Sequence, residues 1–209
     1  MLESRNLIVF GYSGHSYVVI EIAVSNGWKI SGYYDKKKSL NDPYEISYLG
    51  VESDDSLRNH QFNVVGFPAT GNNKIRQKTV ELLRRNGINE TAIISSDSVI
   101  SPKSIIEPST FVSARVVINC FCNIGNGCII NTGSIIEHEC QIGAYTHVAP
   151  GAVLAGGVKV GSSSFIGANS TVRQGVRIGN DVIIGAGSTV LRNIPDNETW
   201  VGSPAKRLK

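Results

Sequence analysis

The sequence predicts a two-part fold: a small α/β domain, then a coil of short β segments stacked rung upon rung. Three observations predict it. From Ile100 to Val190 every sixth residue is Ile, Val or Leu, at all sixteen positions, although these types fill only 55 of the 209 residues. The residue four places after each aliphatic is small or β-branched in nearly every case, as at Ser104, Thr110, Cys122, Cys128, Ser134 and Cys140. Ahead of this array, buried-strand patterns alternate with helical ones.

Composition sets the outer bounds. With 41% hydrophobic and 18% charged residues the chain can fill a core, which excludes global disorder. The net charge of +3 comes from interspersed signs, so nucleic acid is not an expected partner. Lys36-Lys37-Lys38 reads as a solvated loop. No apolar stretch is long enough to span a bilayer, and the run before Gly11 is too short for a signal peptide. A cytoplasmic protein without a membrane partner is therefore expected.

Residues 1–95 make the first domain of this reading. Leu7 to Phe10 is a buried strand broken by Gly11-Tyr12-Ser13-Gly14. A helix follows through Val18, Val19, Ile22 and Ala23 and stops at Asn26-Gly27. Lys29 to Tyr34 is a second strand, ending at Asp35, and Asn63 to Phe67 a third. Gly71-Asn72-Asn73 opens a helix with an apolar face of Ile75, Thr79, Leu82 and Leu83, closed by Arg84, Arg85 and Gly87. Thr91 to Ile94 leads into the array. Alternating β and α segments imply a small parallel, Rossmann-like sheet. Gly11-x-x-Gly14 could seat a phosphate at a helix N-terminus, or be a structural turn; it lacks the full G-x-G-x-x-G pattern. Asp35 stands where such sheets place a ribose- or base-binding carboxylate, or it is an exposed loop acid.

Residues 96–209 form the second domain. A period of six fits neither an α-helix nor a simple amphipathic strand, but does fit a short β segment and a turn repeated without interruption. The aliphatic points inward, the small residue fills the remaining space, and Gly or Asn tolerates the turn. Gly follows the aliphatic six times, at Gly125, Gly143, Gly161, Gly167, Gly179 and Gly185. Three hexads per coil make a rung of 18 residues, so Ile100 to Pro195 gives just over five rungs, a prism about 25 Å tall. Cys122, Cys128 and Cys140 share the small interior phase and read as buried fillers, not as zinc ligands. Trp200 reads as packing over the last rung.

The hexad array, Ile136-Glu137-His138-Glu139-Cys140, the tail Val201-Gly202-Ser203-Pro204-Ala205-Lys206, and the earlier Phe10-Gly11-Tyr12-Ser13-Gly14-His15 and Gly71-Asn72-Asn73-Lys74-Ile75-Arg76 together resemble the PglD/NeuD-type sugar acetyltransferases of the hexapeptide acyltransferase superfamily. The resemblance implies a left-handed parallel β-helix and a homotrimer with active sites between adjacent prisms. It implies acetyl-CoA as co-substrate, no metal, and transfer of acetyl to the amine of a nucleotide-linked amino sugar of the UDP-4-amino-4,6-dideoxy-hexose type. The matching His, here His138, is the general base, and Glu139 orients it and strengthens it. His147, Gly156, Ala168 and Ala186 fall at acetyl-CoA contacts. Ser13, Gly14, His15, Asp35, Lys36 and Gly71 fall at the nucleotide-sugar. Tyr12 departs from the small residue common at its place and narrows the phosphate turn.

Acyl transfer needs a base, two substrates held together and a stabilised oxyanion. His138 has a turn-side phase, not an interior one, and an imidazole titrates in a range that suits a base. Gly156 lies 18 residues on, one rung away, leaving room for a thioester and a backbone N–H for the oxyanion. Pro150, Ala168 and Ala186 form another small-residue column, either a pantetheine groove or plain turn geometry. Three other readings fit the residues less well. One acetylates a sialic-acid hydroxyl. A β-helix carbonic anhydrase is short of His, with only His138 and His147 in the array. A silent trimerisation scaffold leaves His138-Glu139 unexplained.

Overall fold

The computed structural model describes residues 5–57 and 64–208. Asn63, expected to open the third strand, and His60 lie outside the described residues. The chain divides into two compact units, Met1–Ile93 and Ile94–Lys209.

The first unit is a parallel sheet of four strands. β1 is Arg5–Phe10, β2 Trp28–Tyr34, β3 Tyr48–Gly50 and β4 Val65–Pro68, in the order β3-β2-β1-β4. Leu7, Val9 and Phe10 are buried because helices cover a parallel sheet on its faces, which is why the strand reads as a continuous apolar run. α1, Gly14–Ser25, starts in the β1 turn and ends before Gly27, whose φ of +81° suits glycine. Its buried face is Ser16, Val19, Ile20 and Ala23, so Val18, expected to pack, is instead exposed. A short helix, α2, spans Asp54–Leu57; neither it nor β3 was legible in the sequence. α3, Asn73–Arg85, is capped by Asn72, whose side chain accepts from the Ile75 N–H at 3.0 Å. Its buried face also departs from expectation: Ile75 faces solvent and Arg76, 1% exposed, lies inside with Thr79, Val80, Leu82 and Leu83.

The second unit is a left-handed parallel β-helix. Two-residue strands pair 18 residues apart, as in Ile135↔Val153 and Ile136↔Leu154, and the last turn is two residues shorter, with Ile184 pairing Trp200. The strands stack into three flat faces. One carries Asn123, Gln141, Lys159 and Arg177 outward, the next Ile129, His147 and Phe165, the third Val117, Ile135, Val153 and Thr171. The aliphatic ladder from Val112 to Val190 fills the interior, and Trp200 closes the column as one of its core residues. Each buried aliphatic contributes about 1.5–3 kcal/mol.

Two details of the repeat differ from the sequence reading. The glycines after the aliphatics do not relax a turn. A Cβ on Gly143 would lie 2.5 Å from the Ser162 nitrogen, and one on Gly161 2.5 Å from the Gly179 carbonyl carbon, so the next rung's backbone forbids any side chain. The left-handed turn residue instead falls three places after the aliphatic, at Glu139 (φ 61°), Tyr145 (φ 61°) and Gly157 (φ 67°), among others. The small interior residues also do more than fill space. Ser104, Thr110, Thr146, Ser164 and Ser170 each donate to a carbonyl 15 residues on, at 2.6–2.9 Å. Cys122, Cys128 and Cys140 donate thiols in the same way, to Glu137, Gly143 and Ala155. Where a hydroxyl or thiol stands there, it pairs a corner carbonyl; Val116, Ala152, Val158, Val176 and Val182 hold the same position without a donor.

Candidate active site

In the coil, the turn after Ile136 places three groups together. His138 Nδ1 lies 3.0 Å from Glu139 Oε2, and the two side chains are 49% and 68% exposed. An ionised carboxylate only accepts, so Nδ1 carries the proton and donates. Nε2 of the neutral ring is then left with its lone pair. The backbone here is fixed from both sides: Glu139 N–H donates to Cys120 O at 2.9 Å, and Gly157 N–H donates to His138 O at 2.8 Å. Glu139 occupies the left-handed position of its hexad, which sets the direction in which its carboxylate leaves the chain.

The ring of His138 lies over Gly156. A Cβ on Gly156 would come within 2.5 Å of both Nε2 and Cε1. The expectation that Gly156 leaves room for a thioester is therefore corrected: the room it leaves is occupied by the imidazole. Cys120 is one rung to the other side of His138, half-buried and free. Cys140 is no rival nucleophile, since it is fully buried and its thiol donates to the Ala155 carbonyl.

His147 is not at this corner. It stands on the face with Ile129 and Phe165, its ring edge-on to Phe165 (centroids 5.0 Å, 78°) and Nε2 3.2 Å from Asn131 Nδ2. Pro150, Ala168 and Ala186 stack along the prism edge beside that face, at 18-residue steps. The chain thus brings together His138, Glu139 and Gly156 on one edge, and Ala168 and Ala186 on another. Among the described residues no cluster of three or more His, Cys, Asp or Glu could hold a metal ion.

In the first unit, chain order reverses between β1 and β4: from β1 the chain moves to β2 on one side and later to β4 on the other. Such a switch point opens a crevice at the carboxyl ends of the two strands, where α/β sheets bind ligands. The turns flanking it are Gly11-Tyr12-Ser13-Gly14 and Ala69-Thr70-Gly71-Asn72. They lie in contact, with a Cβ on Gly11 (φ +93°) meeting Ala69 O at 3.5 Å. Positions Gly14 and Gly71 both look onto open space, with nothing within 4 Å of an added Cβ. Ser13 is exposed, and its N–H and C=O are both held by the Ser16 hydroxyl, at 2.7 and 2.6 Å.

Asp35 does not project freely. Its Oδ2 accepts from Tyr12 N–H at 2.8 Å and its Oδ1 from Lys36 N–H at 2.6 Å, joining the β1 and β2 turns, while Lys36 is exposed. Tyr12, expected to narrow the phosphate turn, does not enter it. Its ring is buried, stacked on Tyr33 at 4.2 Å, and its hydroxyl donates to Asp42 at 2.5 Å. His15, in the first turn of α1, is held neutral: burial first, and then the nearby Arg76 charge, lower its pKa to about 4. Arg76 and the Tyr12–Asp42 bond were missed by sequence reasoning. The first was given no role, and the second joins residues 30 apart.

The fold defines a hexapeptide-repeat acyltransferase carrying an N-terminal α/β domain. Residues 6–83 match the PglD N-terminal domain, and residues 121–156 and 157–192 match the bacterial transferase hexapeptide, six repeats each. The structure is similar to PerB from Caulobacter crescentus, solved with CoA and GDP-perosamine, at TM-score 0.92 and 34% identity, covering 98% of this chain and 97% of that one. It is equally similar to the acetyltransferase domain of PglB from Neisseria gonorrhoeae, solved with acetyl coenzyme A, at TM-score 0.92 and 31% identity over 98% and 100%. WeeI from Acinetobacter baumannii shares the fold at 23% identity and TM-score 0.86. The chain belongs to the PglD-type sugar acetyltransferases.

Proposed function

We propose that this chain transfers the acetyl group of acetyl-CoA to the amine of a nucleotide-linked amino sugar, with His138 as general base. The observation that carries the reading is the His138–Glu139 pair on an exposed edge: with Nδ1 turned to the carboxylate, Nε2 is the nitrogen that the neutral ring offers as base. That PerB holds CoA and GDP-perosamine, and the PglB domain acetyl-CoA, supports the same substrate classes here.

His138 Nε2 takes a proton from the sugar amine as the nitrogen attacks the thioester carbon. The C–N bond forms and the carbonyl electrons move to oxygen, giving a tetrahedral oxyanion that the Gly156 N–H stabilises. As the oxyanion collapses, the C–S bond breaks and the CoA sulfur takes the proton from His138. The crevice between β1 and β4 receives the nucleotide, with Ser13, Gly14, His15 and Gly71 along its walls and Asp35 and Lys36 at its β2 side. Ala168 and Ala186, with His147 on the adjoining face, line the path of the coenzyme. Since that edge is not the His138 edge, we infer that a second copy completes the site, as in a homotrimer. Both substrates are charged, and a cytoplasmic enzyme would meet them without a transport step.

The test is a free-thiol release assay with UDP- and GDP-linked 4-amino-4,6-dideoxy-hexoses, comparing wild type with His138→Ala. Turnover should fall by roughly 10²–10⁴-fold in the variant with acetyl-CoA affinity retained. Retained turnover, or acetylation of a sugar hydroxyl in preference to an amine, would overturn the reading.

A further inference from the structure

Arg76 is 1% exposed, in the first turn of α3, and its guanidinium points back beneath the turn that precedes its own helix. Nη1 donates to the carbonyls of Thr70 and Gly71, both at 3.2 Å, and Nη2 donates to Asn73 Oδ1 at 2.8 Å. These three acceptors are two backbone carbonyls and an amide oxygen, so the fork of the guanidinium shapes the loop. Arg76 also contributes to holding His15 neutral on the neighbouring helix.

The two carbonyl contacts fix more than the carbonyls. The peptides joining Thr70 to Gly71 and Gly71 to Asn72 are trans, since Ser203-Pro204 is the one cis bond among the described residues. In a trans peptide the C=O and N–H point in opposite directions. Turning both oxygens inward onto a buried guanidinium therefore turns the N–H groups of Gly71 and Asn72 away from it. Two successive donors facing outward, backed by a positive charge and with open space at Gly71, suit a diphosphate.

We propose that Arg76 is a positioning residue for the sugar-nucleotide: it aims the Gly71 and Asn72 N–H groups at the diphosphate and supplies a buried positive charge behind them. This rests on the proposed function, which seats the nucleotide in the β1–β4 crevice. Arg76 itself touches no substrate. Arginine suits the role because one planar fork reaches both carbonyls at once; lysine keeps the charge but loses the fork.

The test compares Arg76→Lys and Arg76→Gln with wild type in the full chain. Steady-state kinetics are read alongside calorimetric binding of UDP, GDP, uridine, guanosine and acetyl-CoA. The expected result is a KM for the sugar-nucleotide raised by about tenfold in Arg76→Lys and more in Arg76→Gln, with saturating kcat and acetyl-CoA affinity within about twofold of wild type. Nucleoside affinity should hold while the added affinity of the diphosphate is lost. If Arg76→Gln fails to fold, Arg76→Lys carries the test. Undiminished diphosphate binding in either folded variant, or equal losses for nucleoside, diphosphate and acetyl-CoA, would overturn the proposal alone. Wild type binding neither UDP nor GDP would instead overturn the nucleotide reading beneath it.

Discussion

The imidazole of His138 fills the space above Gly156, one rung away, so closely that a single methyl group on Gly156 would collide with it. The only side chain that fits in that column position beside this ring is none. Gly156→Ala should therefore push the ring off Glu139 and lower kcat by at least about tenfold, since small misplacements of a base are costly. Unchanged kcat in a folded Gly156→Ala enzyme would refute the arrangement.

Glu139 sits at φ 61°, where glycine is easier to accommodate than a side chain. Glu139→Gly should raise the unfolding free energy by about 0.5–1 kcal/mol while turnover falls, because the ring loses its partner. Thermal melting and thiol release, measured on one preparation, should move in opposite directions. Loss of both would show that the carboxylate is structural.

The pH dependence of stability has a calculable sign at His15. Its pKa in the folded chain, about 4, is below the ordinary imidazole value of 6.5. Between those values the unfolded chain binds the proton and the folded chain does not, so stability falls as pH drops from 6.5 and levels off below about 4. Above 6.5 there is no effect. His15→Gln should flatten the melting temperature over that window; an unchanged slope would show that other groups set it.

The coil's glycines divide into two kinds that respond differently to alanine. Gly161→Ala would drive a Cβ into the Gly179 and Asn180 backbone and should cost about 3 kcal/mol or more. Gly133→Ala meets nothing within 4 Å and bears only its φ of +65°, a cost of about 1 kcal/mol. Urea unfolding of the two variants should rank them in that order.

The hexad array was legible because each hexad repeats one local rule: an aliphatic inward, a small or β-branched residue four places later. Neither needs knowledge of the rest of the chain. The His138-Glu139 segment was legible for the same reason, since its place in the six-residue phase puts it at a corner. The first strand and its glycine turn were readable from a continuous apolar run ending in glycine. What failed were judgements that depend on partners remote in sequence. Arg76 received no role of its own, because its burial follows from how the turn before α3 folds its Thr70 and Gly71 carbonyls back onto the guanidinium. Tyr12 was assigned to the turn because its partners, Tyr33 and Asp42, come from other segments.

The sequence by itself determined the period, the inward column, the corner on which His138 stands and the two-unit architecture, because these follow from spacing along one chain. Only the tertiary structure decided why Gly143 and Gly161 cannot carry a side chain and which way the His138 ring leans. Those are distances between segments that the chain brings together only on folding. A pattern of residue types specifies which groups are buried, but steric exclusion and hydrogen-bond direction are fixed by the neighbour across the rung.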